Sequence, residues 1–153
     1  MGAEANSAEV TTLPEPSSDD IEALLEAARY DDIDDLTSLA SVGISLDSKD
    51  PQGRTALHMA SANGHLNIVE YLVQHGVDVN AVNTEHNTPL HWACLNGHIE
   101  VVKYLILTGA SVSVLNSHER TPVDEAVGRG KMDVLDAINE AMAQLELTST
   151  QVS

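Results

Sequence analysis

Along Leu66-Asn67-Ile68-Val69-Glu70-Tyr71-Leu72-Val73 the apolar residues recur at the spacing of one helix face. The pattern then returns 33 residues later: Val69, Val102 and Leu135 share a register, and so do Leu72, Leu105 and Ile138. The same offset aligns Ala60, Ala93 and Ala126, and Gly64, Gly97 and Gly130. Counting back 33 residues reaches Leu24, Ala27, Leu36, Leu39 and Gly43, a weaker first unit. A fixed period of this length signals a stack of supersecondary units, each burying its apolar face against its neighbours. The chain therefore reads as four repeating helical units, at about 19–49, 50–82, 83–115 and 116–145.

The polar residues between the apolar ones mark where helices begin and end. Thr55 and Thr88 stand where a hydroxyl can satisfy unpaired backbone N–H groups at a helix start. Pro89 and Pro122 follow in the first turn, where a missing N–H costs nothing. Gly64, Gly97 and Gly130 fall where a positive φ ends the first helix of a unit, and Gly76 and Gly109 do the same for the second. Hairpin tips are predicted near 51–54, 84–87 and 117–120. Residues 1–18, rich in Ser, Pro and Glu, and the short polar stretch 146–153 read as disordered tails.

Composition narrows the picture. Aromatic residues make up only 3% of the chain and Phe is absent, so the core is Ala, Leu, Val and Ile, which suits closely stacked helices. The formal charge is −17, from 24 acids against 7 bases. Such a surface repels phosphate, which argues against direct binding of nucleic acid or anionic membrane. It attracts and steers a basic protein, or else serves solubility alone. No apolar run reaches the length of a membrane span, and MGAEANSAEV lacks the zones of a signal peptide. Gly2 is not followed by the Ser or Thr of a myristoylation pattern, because Asn6 stands there. The single Cys94 rules out an internal disulfide and agrees with a reducing cytosol or nucleus, so a cytoplasmic location, nuclear as well, is expected.

The motif residues themselves are Thr55-Ala56-Leu57-His58, Thr88-Pro89-Leu90-His91 and Thr121-Pro122-Val123-Asp124, with Asn63-Gly64-His65 and Asn96-Gly97-His98 behind the first two. Over roughly residues 19–145 they resemble the ankyrin-repeat family. That resemblance implies an all-α solenoid of four helix-turn-helix repeats linked by hairpin loops, working by protein binding. A narrower likeness rests on Met59, Trp92, Leu95 and the acidic first unit. There the chain is similar to the Yar-type ankyrin chaperones of fungi, which hold a newly made basic protein (protein three) of the small ribosomal subunit until assembly. The resemblance implies such a client, with no nucleic acid, no membrane and a monomer when free. The alternative is an adaptor for another regulatory protein, and more remotely an accessory subunit of an enzyme.

Candidate chemistry is thin. The resemblance implies that the repeating histidines His58, His65, His91 and His98 are buttresses within and between repeats rather than metal ligands, and no HExxH or paired-cysteine spacing is present. Cys94 stands beside His91 but at a position that packs in the core. Without a nucleophile, phosphate-cradling or calcium-loop pattern, neither enzyme activity, cofactor nor metal is expected. The resemblance instead implies a concave binding face. Its residues are Pro51, Gln52, Arg54, Met59 and Asn63 in the second unit, with Ala62 beside them. Thr84, Glu85, Asn87, Trp92, Leu95 and Asn96 follow in the third. Ser117, His118 and Arg120 complete it in the fourth, with Glu125 and Arg129. Trp92, the only Trp, reads as an interface anchor or as packing between repeats. Asp31, Asp32, Asp34 and Asp35 read as a solvated face or as an electrostatic contact for the partner.

Overall fold

The computed structural model describes residues 16–152, with side chains as far as 148. Among the described residues there are eight helices and no strand. They are α1 (Ser18–Arg29), α2 (Ile33–Ser41), α3 (Ala56–Asn63), α4 (Leu66–Gln74), α5 (Pro89–Asn96), α6 (Ile99–Leu107), α7 (Pro122–Gly128) and α8 (Met132–Val152). They pair as α1–α2, α3–α4, α5–α6 and α7–α8, and the pairs stack in chain order. The first helices form one layer, α1 on α3 on α5 on α7, while α4, α6 and α8 form the other.

Each first helix starts on a box of two reciprocal hydrogen bonds. Thr55 Oγ1 accepts from His58 N and His58 Nδ1 accepts from Thr55 N. Thr88 with His91 and Thr121 with Asp124 repeat the device. In the first unit the box moves five residues upstream to Ser17 and Asp20, which makes α1 longer. Ser17 and Ser18 thus belong to the helix and its cap rather than to a tail; residues 1–15 lie outside the described residues. Leu24, Leu57 and Leu90 are buried to 1% exposure or less, each contributing about 2 kcal/mol of hydrophobic stabilisation.

The hairpin tips are built on a third periodic residue. Oδ1 of Asp50 accepts from Gln52 N and Arg54 N, Oδ1 of Asn83 from Glu85 N and Asn87 N, and Oδ1 of Asn116 from His118 N and Arg120 N. Only an acceptor oxygen is needed, so Asp and Asn serve equally. Each tip holds one residue at positive φ: Gly53 at 76°, His86 at 64° and Glu119 at 61°. Neighbouring tips are tied by backbone bonds, Thr84 N to Gln52 O and Ser117 N to Glu85 O, both at 2.9 Å.

One further feature departs from the sequence reading. The stretch from 146, read as a disordered tail, continues α8 as far as Val152. Glu140-Ala141-Met142-Ala143-Gln144-Leu145-Glu146-Leu147 holds strong helix formers and no breaker, so nothing stops the helix. At the end of α7 the cap residue is Arg129, and Gly130, at φ 69°, lies one residue past it.

Candidate protein-binding face

The repeated histidines stitch the stack together along two edges. His58 Nε2 lies 2.8 Å from Asn87 O and His91 Nε2 lies 2.9 Å from Arg120 O, each reaching forward to the next hairpin tip. A carbonyl only accepts, so Nε2 carries the proton and Nδ1 is left as acceptor for the threonine N–H. Burial drives the pKa of His58 down to about 4, and that of His91 in the same direction. On the other edge His65 Nε2 meets Arg29 O and His98 Nε2 meets Ala62 O, each reaching back to the preceding turn. The His98 ring fills the space beside Gly64: a Cβ there would lie 2.5 Å from His98 Nδ1. Cys94 is fully buried and its thiol is pushed up to about 12, far from a thiolate at neutral pH.

Most of the predicted concave residues fall into three settings. Glu85, Asn87, Trp92, Leu95, His118 and Arg120 line one groove across the third and fourth units, together with Glu125 and Arg129. Pro51 and Arg54 line a second groove, against Ile21, Leu25, Glu22 and Glu26 of α1. Gln52, Thr84 and Ser117 are exposed on the tips that flank these grooves. Trp92 is half-buried, its indole edge-on to the His58 ring at 5.2 Å and 68°. Two of the set lie beneath the surface. Met59 is 5% exposed, and Asn87 is 8% exposed, its Oδ1 accepting from Asn116 Nδ2. Met59 shares the register of Trp92, but a thioether is small enough to be covered where an indole is not.

Asn63, Asn96 and the acidic run stand apart from the tips. Asn96 Nδ2 reaches back to Ala62 O and Asn63 Nδ2 to Met59 O, which places both on the turn edge. Asp31, Asp32, Asp34 and Asp35 are all exposed at the α1–α2 turn, at the far end of an α1 that is about 18 Å long. Three of them are explained locally. Asp32 caps α2 by accepting from Asp35 N at 3.0 Å, and Asp34 and Asp35 sit in its first turn, where the helix dipole favours a negative charge. Asp35 also occupies the register of Ile68, Val101 and Val134, which are all buried. A charge there gives the stack a polar end. Asp31 takes the positive φ of 62° that glycine takes in later units.

The periodic tip acceptors Asp50, Asn83 and Asn116 were not among the expected site residues, although their spacing of 33 places them in the same register as the motif.

A stack of helical hairpins with an open grooved face, its buried histidines and cysteine held in structural contacts, defines a scaffold of the repeat-solenoid class. A family model for ankyrin repeats (3 copies) matches residues 24–116 and again 83–147. The chain belongs to the ankyrin-repeat family. It is 39% identical over 51 residues to the mitochondrial liver isoform of glutaminase from Rattus norvegicus. It is 40% identical over 53 residues to acyl-CoA-binding domain-containing protein 1 from Arabidopsis thaliana. These matches cover 33% and 35% of this chain but only 8% and 16% of those proteins. Ankyrin repeats make the chain a protein-binding module, and no helix among the described residues is long and apolar enough to cross a membrane.

Proposed function

We propose that the chain binds a basic client protein along its concave face and shields it, the client being a newly made protein of the small ribosomal subunit awaiting assembly in the cytoplasm or nucleus. The observation that carries this reading is Trp92, half-buried and lining a groove of a protein whose net charge is −17. An aromatic anchor with a polar rim is the arrangement in which a few residues supply most of the binding energy. The acidic surface speeds encounter with a polycation and screens its charge from RNA. The client then leaves for rRNA, whose charge density is higher.

The test is a sedimentation assay with purified small-subunit ribosomal protein three. At physiological salt the chain keeps that protein in the supernatant, and added rRNA withdraws it from the complex. Equal pelleting with and without the chain overturns the chaperone reading. A second reading, an adaptor for another regulatory protein, is supported by the relatives, in which the matching stretch is a small part of a larger protein. Co-purification from cells that yields a regulatory protein in place of ribosomal proteins favours it.

A further inference from the structure

The two ends of the stack are unlike. The first unit presents Asp35 outward, as above. The fourth, the last among the described residues, keeps apolar residues at the positions that pack against a following unit. Val127 stands in the register of Ser61 and Cys94, both at 0% exposure, yet is itself 51% exposed. Leu135 stands in the register of Val69 and Val102, both fully buried, and is only half-buried. Met132 and Met142 flank it on the same side of α8, at 59% and 40% exposure. Val127 and Leu135 thus stand at positions that are buried in every earlier unit.

Its polar residues say what kind of helix fits. His91 and Lys103 reach forward as donors, to Arg120 O at 2.9 Å and to Glu140 Oε1 at 3.2 Å. In the fourth unit the same two registers hold Asp124 and Asp136. Both forward-reaching donors have become carboxylates, which accept from a cation and repel another acidic surface. A second copy would bring a charge of −17 against −17.

We propose that the face formed by Val127, Met132, Leu135 and Met142 docks a basic amphipathic helix of the partner, with Lys or Arg on its flanks paired to Asp124 and Asp136. The proposal rests on the basic-client reading and adds a second contact surface beyond the concave groove. Apolar burial supplies the affinity and the two carboxylates fix the sign of the partner's charge.

Methyl-labelled methionine separates the surfaces, because Met59 lies under the concave face while Met132 and Met142 lie on the end face. The full chain is titrated with a synthetic amphipathic helix carrying leucines on one face and lysines on its flanks, and with a scrambled control. Saturable shifts of the Met132 and Met142 signals are expected, absent with the control. Val127→Glu with Met142→Glu abolishes the response, and Asp124→Asn with Asp136→Asn weakens it about tenfold at low salt. If the helix and ribosomal protein three both shift only Met59 and the Trp92 fluorescence, this proposal falls while the client reading stands. If ribosomal protein three evokes no response anywhere, the client reading falls too. If the Met132 and Met142 signals move with the chain's own concentration alone, a second copy covers the face, and the basic helix is refuted as its occupant.

Discussion

Lowering the pH from about 7 to about 5 sets the buried His58 against the rest of the stack. Its ring is neutral in the folded protein, with Nδ1 accepting from Thr55 N and Nε2 bonded to Asn87 O, and burial opposes the charge a second ring proton would bring. The folded pKa is about 4 against 6.5 for a free histidine. A lowered histidine pKa means that the unfolded chain takes up the proton first as pH falls. The stability His58 contributes is therefore whole above about pH 6.5 and is lost as pH falls toward 4. At about pH 5 the loss is about 2 kcal/mol, a sizeable share of a marginal total. His91, shifted the same way, adds to it. The carboxylates pull in the opposite direction, since protonating some of the 24 acids relieves repulsion. The comparison that isolates His58 is the wild type against His58→Gln, by urea unfolding followed through Trp92 fluorescence across this pH range. The variant is less stable throughout but loses about 2 kcal/mol less between the two pH values. Parallel slopes for the two proteins refute the argument.

Three further outcomes follow from local geometry. Gly64→Ala, where the new Cβ meets the His98 ring at 2.5 Å, lowers the urea midpoint more than Gly76→Ala, whose positive φ is similar but whose surroundings are open; equal losses refute the close approach. Glu119→Gly, at an exposed tip with φ 61°, raises stability by up to about 1 kcal/mol, and a loss in the same titration contradicts the account of the tips. Joint replacement of Asp31, Asp32, Asp34 and Asp35 by Asn keeps the cap on α2, because Asn caps as well as Asp, and changes stability by about 0.5 kcal/mol or so. It slows association with the basic client in stopped flow at low salt and flattens the salt dependence; unchanged kinetics reduce the acidic run to a polar end for the stack.

Much of this architecture is legible in the chain because a 33-residue register forces the same side chains into the same environments. Thr55, Thr88 and Thr121 cap three helices in one way, and Leu57 and Leu90 vanish into the core together. What the register conceals is what differs between units. Met59 and Trp92 share a position, but only the indole is too large to be covered. Asp31 stands where glycine is expected and adopts the left-handed conformation, which Asp tolerates better than most residues. The acids of the first unit read as a solvated face or as an electrostatic contact, and three of them also have places in capping and starting α2. At the fourth unit, periodicity predicts burial for Val127 and Leu135, and with no further unit among the described residues Val127 is exposed and Leu135 half-buried.

The central claim is that the groove around Trp92 is a protein-binding surface for a basic client. Its most direct measurement is the intrinsic fluorescence of Trp92, the only Trp in the chain, as ribosomal protein three of the small subunit is titrated into wild type, with an acidic protein as control. A saturable shift or quench is expected with the basic protein and not with the control. Trp92→Ala, followed by calorimetry, then binds about thirtyfold more weakly, equivalent to about 2 kcal/mol. Its folding stability falls by less than the 3–5 kcal/mol typical of truncating a core aromatic, roughly speaking. A flat fluorescence titration contradicts the account, and so does a Trp92→Ala protein that binds the client unchanged but has lost the stability of a core residue.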